Sequence, residues 1–167
     1  MNAAIARNSP APQSKLLAEL YLHPGEIFAS AQPHRVTTIL GSCVSVCLFD
    51  TRSGVAGLNH FLLPHAPASA EPSTRYGDVA IDVLVRRVLA LGATRDALVA
   101  KVFGGANVLH AFADDARHIG AANVELAREA LTRYGIPIGA EDAGGVRGRK
   151  LVFSTPDGAA WVKVIGQ

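Results

Sequence analysis

The chain has 167 residues, 49% of them hydrophobic and 18% charged, which suits one domain able to bury about 70% of its unfolded surface without a disulfide or metal staple. Sixteen Lys and Arg stand against fourteen Asp and Glu, a net charge of +2, so the concentrated basic face that strong nucleic-acid or anionic-membrane binding needs is not expected. Two cysteines cannot build a secreted disulfide framework, no apolar run reaches the ~18 residues of a membrane span, and the start lacks a signal-peptide stretch, so a cytoplasmic location is expected.

Residues 1–15, with Pro10 and Pro12 among small polar residues, read as a flexible tail, and residues 16–167 as a single domain. Leu16 to Leu22 is short and apolar, and His23-Pro24-Gly25-Glu26 is a turn. Ile27 to Ser30 and the β-branched Arg35 to Leu40 read as strands, the second interrupted by Gly41-Ser42. Val44, Val46 and Leu48 then alternate with Ser45, Cys47 and Phe49, the period of a strand with two different faces. After a turn at Asp50 to Gly54, Val55 to Leu63 is expected to pair back as another strand ended by Pro64. His65 to Thr74 is a loop, with Asp78 placed to cap the helix of Ile81, Leu84, Val88 and Leu91. Leu98 to Phe103 reads as a buried strand followed by Gly104-Gly105-Ala106, whose glycines suggest a turn or close packing rather than a phosphate loop. A second helix is expected from about Ala121 to Tyr134, with Asn123 or Gly120 marking its start. A strand at Lys150 to Phe153 and a terminal hairpin around Pro156-Asp157-Gly158, closed by Ala160 to Ile165, complete a mixed α/β domain with hairpins at both ends.

The reactive residue types cluster early, at Thr37, Thr38, Ser42, Cys43, Cys47, His60 and His65. Cys43, Cys47, His60 and His65 match a zinc-finger spacing. An extended Cys43–Cys47 segment would hold the sulfurs about 13 Å apart, too far for one metal, and Pro64 breaks the helix that two histidines would share. Alternatively Cys43, at the glycine interruption, is a nucleophile. His60 on the adjacent expected strand would hold its thiolate as an ion pair, and a hydroxyl or carbonyl would fix the imidazole tautomer. Cys47, between Val46 and Leu48, is expected to be structural. His23, His34, His65, His110 and His118 have no partner visible in the sequence and are expected at the surface or in turns.

The ordered series YLHPGEIF, TTILGSCVSVCLFD, GLNHFLLP, RYGDVAIDVLV, KVFGGAN, IGAANVELA and DAGGVRGRKLVF, from about Tyr21 to the end, resembles the chemoreceptor glutamine deamidase family, CheD. The resemblance implies an α/β fold of the α+β type, in which mixed β-sheets pack together with flanking helices. It also implies a distant similarity to the catalytic domain of a deamidating toxin, the cytotoxic necrotizing factor. It implies a cysteine hydrolase that converts glutamines of methyl-accepting chemotaxis receptors to glutamates. The family's cysteine falls on Cys43, its histidine on His60 and its threonine on Thr37, six residues before Cys43. Alternation along one unbroken strand would point Thr37 and Cys43 to the same side. Gly41, Ser42 and Asn59 fit the surrounding pattern as a substrate or oxyanion region. No metal or cofactor is implied. Receptors are the implied partners, with the CheC phosphatase a further one in some relatives and hydrolysis of receptor methyl esters a related activity. The competing reading is a non-catalytic module that binds a receptor or CheC with Cys43 idle.

Overall fold

The structure is a computed structural model that describes residues 5–10, 17–108 and 114–166, and the side chains of these except 114–118. His110 and the side chain of His118, like residues 1–4 and 11–15 of the expected tail, lie outside the described residues.

In chain order the elements are β1 (Ile5–Arg7), β2 (Ala18–Tyr21), β3 (Ile27–Ser30), β4 (His34–Leu40), β5 (Val44–Asp50), β6 (Ala56–Asn59), α1 (Gly77–Ala90), β7 (Leu98–Gly104), α2 (Asp114–Tyr134), β8 (Ile138–Ala143), β9 (Arg149–Ser154) and β10 (Ala160–Val164). The strands form two five-stranded sheets, ordered β1-β10-β9-β4-β2 and β3-β6-β5-β7-β8. Both are mixed: β1 runs parallel to β10, β2 to β4 and β7 to β8, and the remaining pairs are antiparallel. This is the expected α+β architecture.

The sheets pack face to face, and helices cover the far side of the second. Val36 and Leu40 of β4, Leu151 and Phe153 of β9 and Val162 of β10 meet Cys47, Leu58 and Phe103 from the second sheet in one buried cluster. The other face of β5 and β7, carrying Val44, Val46, Leu48 and Val102, meets Ile81, Leu84 and Val88 of α1 and Ala127 and Leu131 of α2. A sheet covered on both faces needs apolar residues on both, which is why β5 is buried at six of its seven positions. No helix among the described residues is long and apolar enough to cross a membrane.

Three expectations change. Part of the tail is a strand: Ile5–Arg7 pairs with Ala160–Val162, the Asn8 N–H donates to the Val162 carbonyl at 2.8 Å, and Arg7 Nε lies 2.7 Å from Asp142 Oδ2. The open edge of β10 offers a ladder that three residues can complete despite the nearby prolines. Asp78 does not cap α1. The N-cap is Tyr76, and Asp78 lies within the first turn, where its carboxylate complements the positive end of the helix. Finally, α2 begins at Asp114, so Gly120 and Asn123 are interior residues. Gly120 is a contact point rather than a boundary, because a Cβ there would collide with the carbonyls of Gly105 and Ala106.

Candidate active site

Gly41-Ser42-Cys43 is the link by which the chain leaves β4 in the first sheet and enters β5 in the second. All three of its carbonyls are held. Ala106 N–H donates to Gly41 O at 2.8 Å, Asn123 Nδ2 to Ser42 O at 3.0 Å, and Gly105 N–H to Cys43 O at 2.8 Å. The seat for this turn is the glycine pair after β7. Gly104 and Gly105 have φ of +105° and +67°, and a Cβ on Gly104 would collide with the Cys43 carbonyl oxygen. The expected close-packing role of these glycines is therefore to support the cysteine turn. Cys43 itself is half-buried. Burial pushes its thiol above the ordinary value, partly offset by its own backbone N–H, which lies against the sulfur.

His60 follows β6 and is 2% exposed. Its main chain is pinned to the turn before β3, with its N–H on Glu26 O at 3.2 Å and its carbonyl accepting from Gly25 N–H at 2.7 Å. An antiparallel bridge pairs Val44 with Phe61, in register with Cys47 opposite Leu58. That register puts Cys43 and His60 on one face of the second sheet, diagonal to each other, a placement typically about 7–8 Å between Cα atoms. This is the face turned toward the first sheet, from which Thr38 reaches across.

Thr38 is fully buried, and its Oγ1 lies 2.8 Å from Leu22 O and 2.8 Å from His60 Nδ1. A hydroxyl has one hydrogen, and a carbonyl can only accept. The Thr38 proton therefore goes to Leu22 O, and the hydroxyl oxygen accepts from His60. That assigns the proton of neutral His60 to Nδ1 and leaves a lone pair on Nε2. Nε2 is buried and has no hydrogen-bond partner in the structure. Burial first, then the nearby His23, lowers the His60 pKa to about 4. The two groups are thus both pushed toward their neutral forms. Both shifts favour thiol and imidazole over the ion pair expected from the sequence.

Of the expected site residues, Gly41, Ser42, Cys43 and His60 are brought to one region. Thr37 is not brought to His60. It sits on the outer face of β4, lining a groove with Arg35, Lys150, Val152, Trp161 and Lys163. The hydroxyl on the imidazole is that of Thr38, whose neighbours Val36 and Leu40 share the inward face. Counting alternation back from Cys43 fails because Gly41-Ser42-Cys43 leaves the strand. Asn59 is also reassigned: it is fully buried, and its Oδ1 accepts the Val46 N–H at 2.8 Å, so it is a strut between β6 and β5 rather than a group open to a substrate. Cys47 is buried in the inter-sheet core, and the exposed His65 lies 3.5 Å from Asp78. Among the described residues, no three His, Cys, Asp or Glu side chains are grouped to hold a metal. Sequence reasoning noted Thr38 among the reactive residues but gave the role to Thr37, and it missed the clamp from Asn123. A polar residue beside the apolar stripe of Val124, Ala127 and Leu131 was the available signal for the latter.

A family model described as CheD chemotactic sensory transduction matches residues 62–164. A probable chemoreceptor glutamine deamidase CheD 1 of Anaeromyxobacter dehalogenans is 51% identical over 87% of this chain and 84% of its own length. Probable chemoreceptor glutamine deamidases CheD of Trichlorobacter lovleyi and Rhodospirillum rubrum are 43% and 46% identical, over 85% and 87% of this chain and 88% and 81% of their own lengths. Among solved structures, Neisseria meningitidis protein NMB0706 aligns with a TM-score of 0.42 and 12% identity over 77% of this chain and 63% of its own, a likeness too loose to carry an argument. With relatives at 43–51% identity over 85–87% of its length, the chain belongs to the CheD family.

Proposed function

We propose that this chain hydrolyses the side-chain amide of glutamines in chemoreceptors, with Cys43 as nucleophile and His60 as proton carrier. The family supports the reaction and substrate class. The observation that carries the residue assignment is the Leu22–Thr38–His60 chain, which leaves Nε2 as an unprotonated base on the sheet face that bears Cys43.

As the Cys43 sulfur attacks the glutamine Cδ, His60 Nε2 takes the thiol proton, so charge separates only as the S–C bond forms. The tetrahedral oxyanion requires fixed donors. Under this reading the Cys43 backbone N–H is one of them. The His60 imidazolium gives its proton to the departing nitrogen, the C–N bond breaks, ammonia leaves, and a thioester remains. Neutral His60 then takes a proton from water, hydroxide adds to the thioester carbon, and collapse of the adduct releases glutamate. The proton returns to the sulfur. Thr38 acts throughout by holding Nδ1–H, the tautomer every step uses. Each turnover converts a neutral amide into a carboxylate, which adds a charge to the receptor and shifts its signalling equilibrium.

The same acyl-enzyme would form from a receptor methyl ester, with methanol leaving in place of ammonia. A CheC-type phosphatase, as the resemblance implies, is a second partner under this reading. The test is mass spectrometry of receptor cytoplasmic domains incubated with the wild type, Cys43→Ala and His60→Ala. Glutamine-to-glutamate conversion by the wild type alone is expected. Equal conversion by Cys43→Ala would remove Cys43 from the mechanism and leave the non-catalytic module as the better reading.

A further inference from the structure

The ladder between β5 and the segment after β6 is interrupted on both sides of the single Val44–Phe61 bridge, and a side-chain amide fills each gap. On one side Asn59 Oδ1 takes the Val46 N–H. On the other, alternation calls for a hydrogen-bonded pair between Ser42 and Leu63. The Leu63 N–H instead donates to Arg75 O at 3.2 Å, and Asn123 of α2 enters the gap. Its Nδ2 donates to Ser42 O at 3.0 Å and to Leu62 O at 2.9 Å. Ser42 immediately precedes Cys43, and Leu62 is two residues beyond His60.

Asn123 is fully buried, and its own Oδ1 has no hydrogen-bond partner in the structure. An orphaned buried oxygen costs stability, a cost that an apolar residue at this position would avoid. The opposite amide orientation would face oxygen toward two carbonyl oxygens, so the donors are fixed on the strand side. What this amide does that no apolar residue can is join the nucleophile turn to the segment carrying the base. The helix can deliver it because Gly120, one turn earlier, lies flat against Gly105 and Ala106.

We propose that Asn123 is a positioning residue of the deamidase site, holding the Cys43 turn and the His60 segment at a fixed separation through one carboxamide. The proposal rests on the reading of Cys43 and His60 as the reacting pair. Neither Nδ2 contact reaches the reacting atoms, so Asn123 acts through the two backbones. A misplacement of the order of 1 Å between sulfur and imidazole costs about 10²-fold in rate, and loss of the clamp is expected to act on that scale.

The experiment measures kcat and KM for ammonia release from a receptor cytoplasmic domain, alongside melting temperature, for Asn123→Ala, Asn123→Asp, Asn123→Ser and Leu131→Ala. Ionised Asp has no donor, and Ser keeps one. Asn123→Ala and Asn123→Asp should lower kcat about 10²-fold with KM unchanged, and Asn123→Ser should fall between them and the wild type. Leu131→Ala, a core change further along the same helix, should lower the melting temperature without lowering kcat. Where the alanine variant does not fold, the serine variant carries the test. Wild-type kcat in a folded Asn123→Ala or Asn123→Ser, or an equal kcat loss in Leu131→Ala at matched melting temperature, would overturn the proposal. Full activity in Cys43→Ala would instead remove the underlying site reading, a separate outcome scored on a different variant.

Discussion

Cys43 and Cys47 lie four residues apart on the same sheet face, yet they occupy chemically different places. Cys43 is half-buried where the chain crosses between the sheets, beside a glycine seat and diagonal to an imidazole. Cys47 is 1% exposed between the sheets, and burial pushes its thiol up to about 12 despite the hydroxyl of Ser45 and the cation of Lys101 nearby. Under the proposed mechanism one thiol meets a substrate and a base, and the other does neither. The difference between the two thiols lies in position, at the link between the sheets or inside the core, rather than in residue type.

The largest test of that contrast is deletion of each sulfur. Cys43→Ala should lower receptor deamidation by more than about 10³-fold, measured by mass spectrometry. Cys47→Ala should keep kcat and lose about 1 kcal/mol of stability, read from denaturant midpoints. Equal activity loss in the two variants would break the comparison.

Alkylation by iodoacetamide sharpens it. Because burial raises both thiols, Cys43 should label slowly at neutral pH and speed up only above the ordinary thiol value of about 9, while Cys47 stays unlabelled in the folded protein. An inflection for Cys43 well below pH 8 would restore the preformed ion pair.

Next in size is the tautomer lock. Thr38→Val should lower kcat about 10²-fold or more, Thr38→Ser should recover most of it, and Thr37→Val should leave it near wild type. A larger loss at Thr37 than at Thr38 would reverse the assignment.

The last expected effect is on stability alone rather than on turnover. With a folded pKa of about 4 and an ordinary value of 6.5, His60 binds a proton more readily in the unfolded chain. Its contribution is fully present above pH 6.5 and is lost as pH falls toward 4, by about 2.5 kcal/mol at pH 4.5. Denaturation at pH 7 and pH 4.5 should show this drop in the wild type and a smaller one in His60→Gln.

The strands with clear alternation, β4 and β5, were legible in the sequence, as were the apolar stripes of both helices and the turns at Pro24-Gly25 and Pro156–Gly158. The adjacency of the Cys43 and His60 segments in one sheet was also legible, through spacing and family motif together. What escaped has a common physical cause. Ile5–Arg7 is a strand only because β10 offers an edge, and three residues carry no period of their own. The choice between Thr37 and Thr38 depends on which face of β4 meets the other sheet, and the break at Gly41 erases the parity that would decide it from Cys43. Asn59 and Asn123 act on backbone groups far away in the chain, contacts that no local pattern encodes.

The bond between Thr38 and His60 runs from one sheet to the other, across the layer of side chains that glues them together. Under the proposed mechanism, activity is a gauge of how those layers are docked. A slide of one layer by a fraction of the strand spacing would uncouple the hydroxyl from the ring while every strand remained paired within its own sheet. Under mild denaturant, turnover should vanish before the circular-dichroism signal changes.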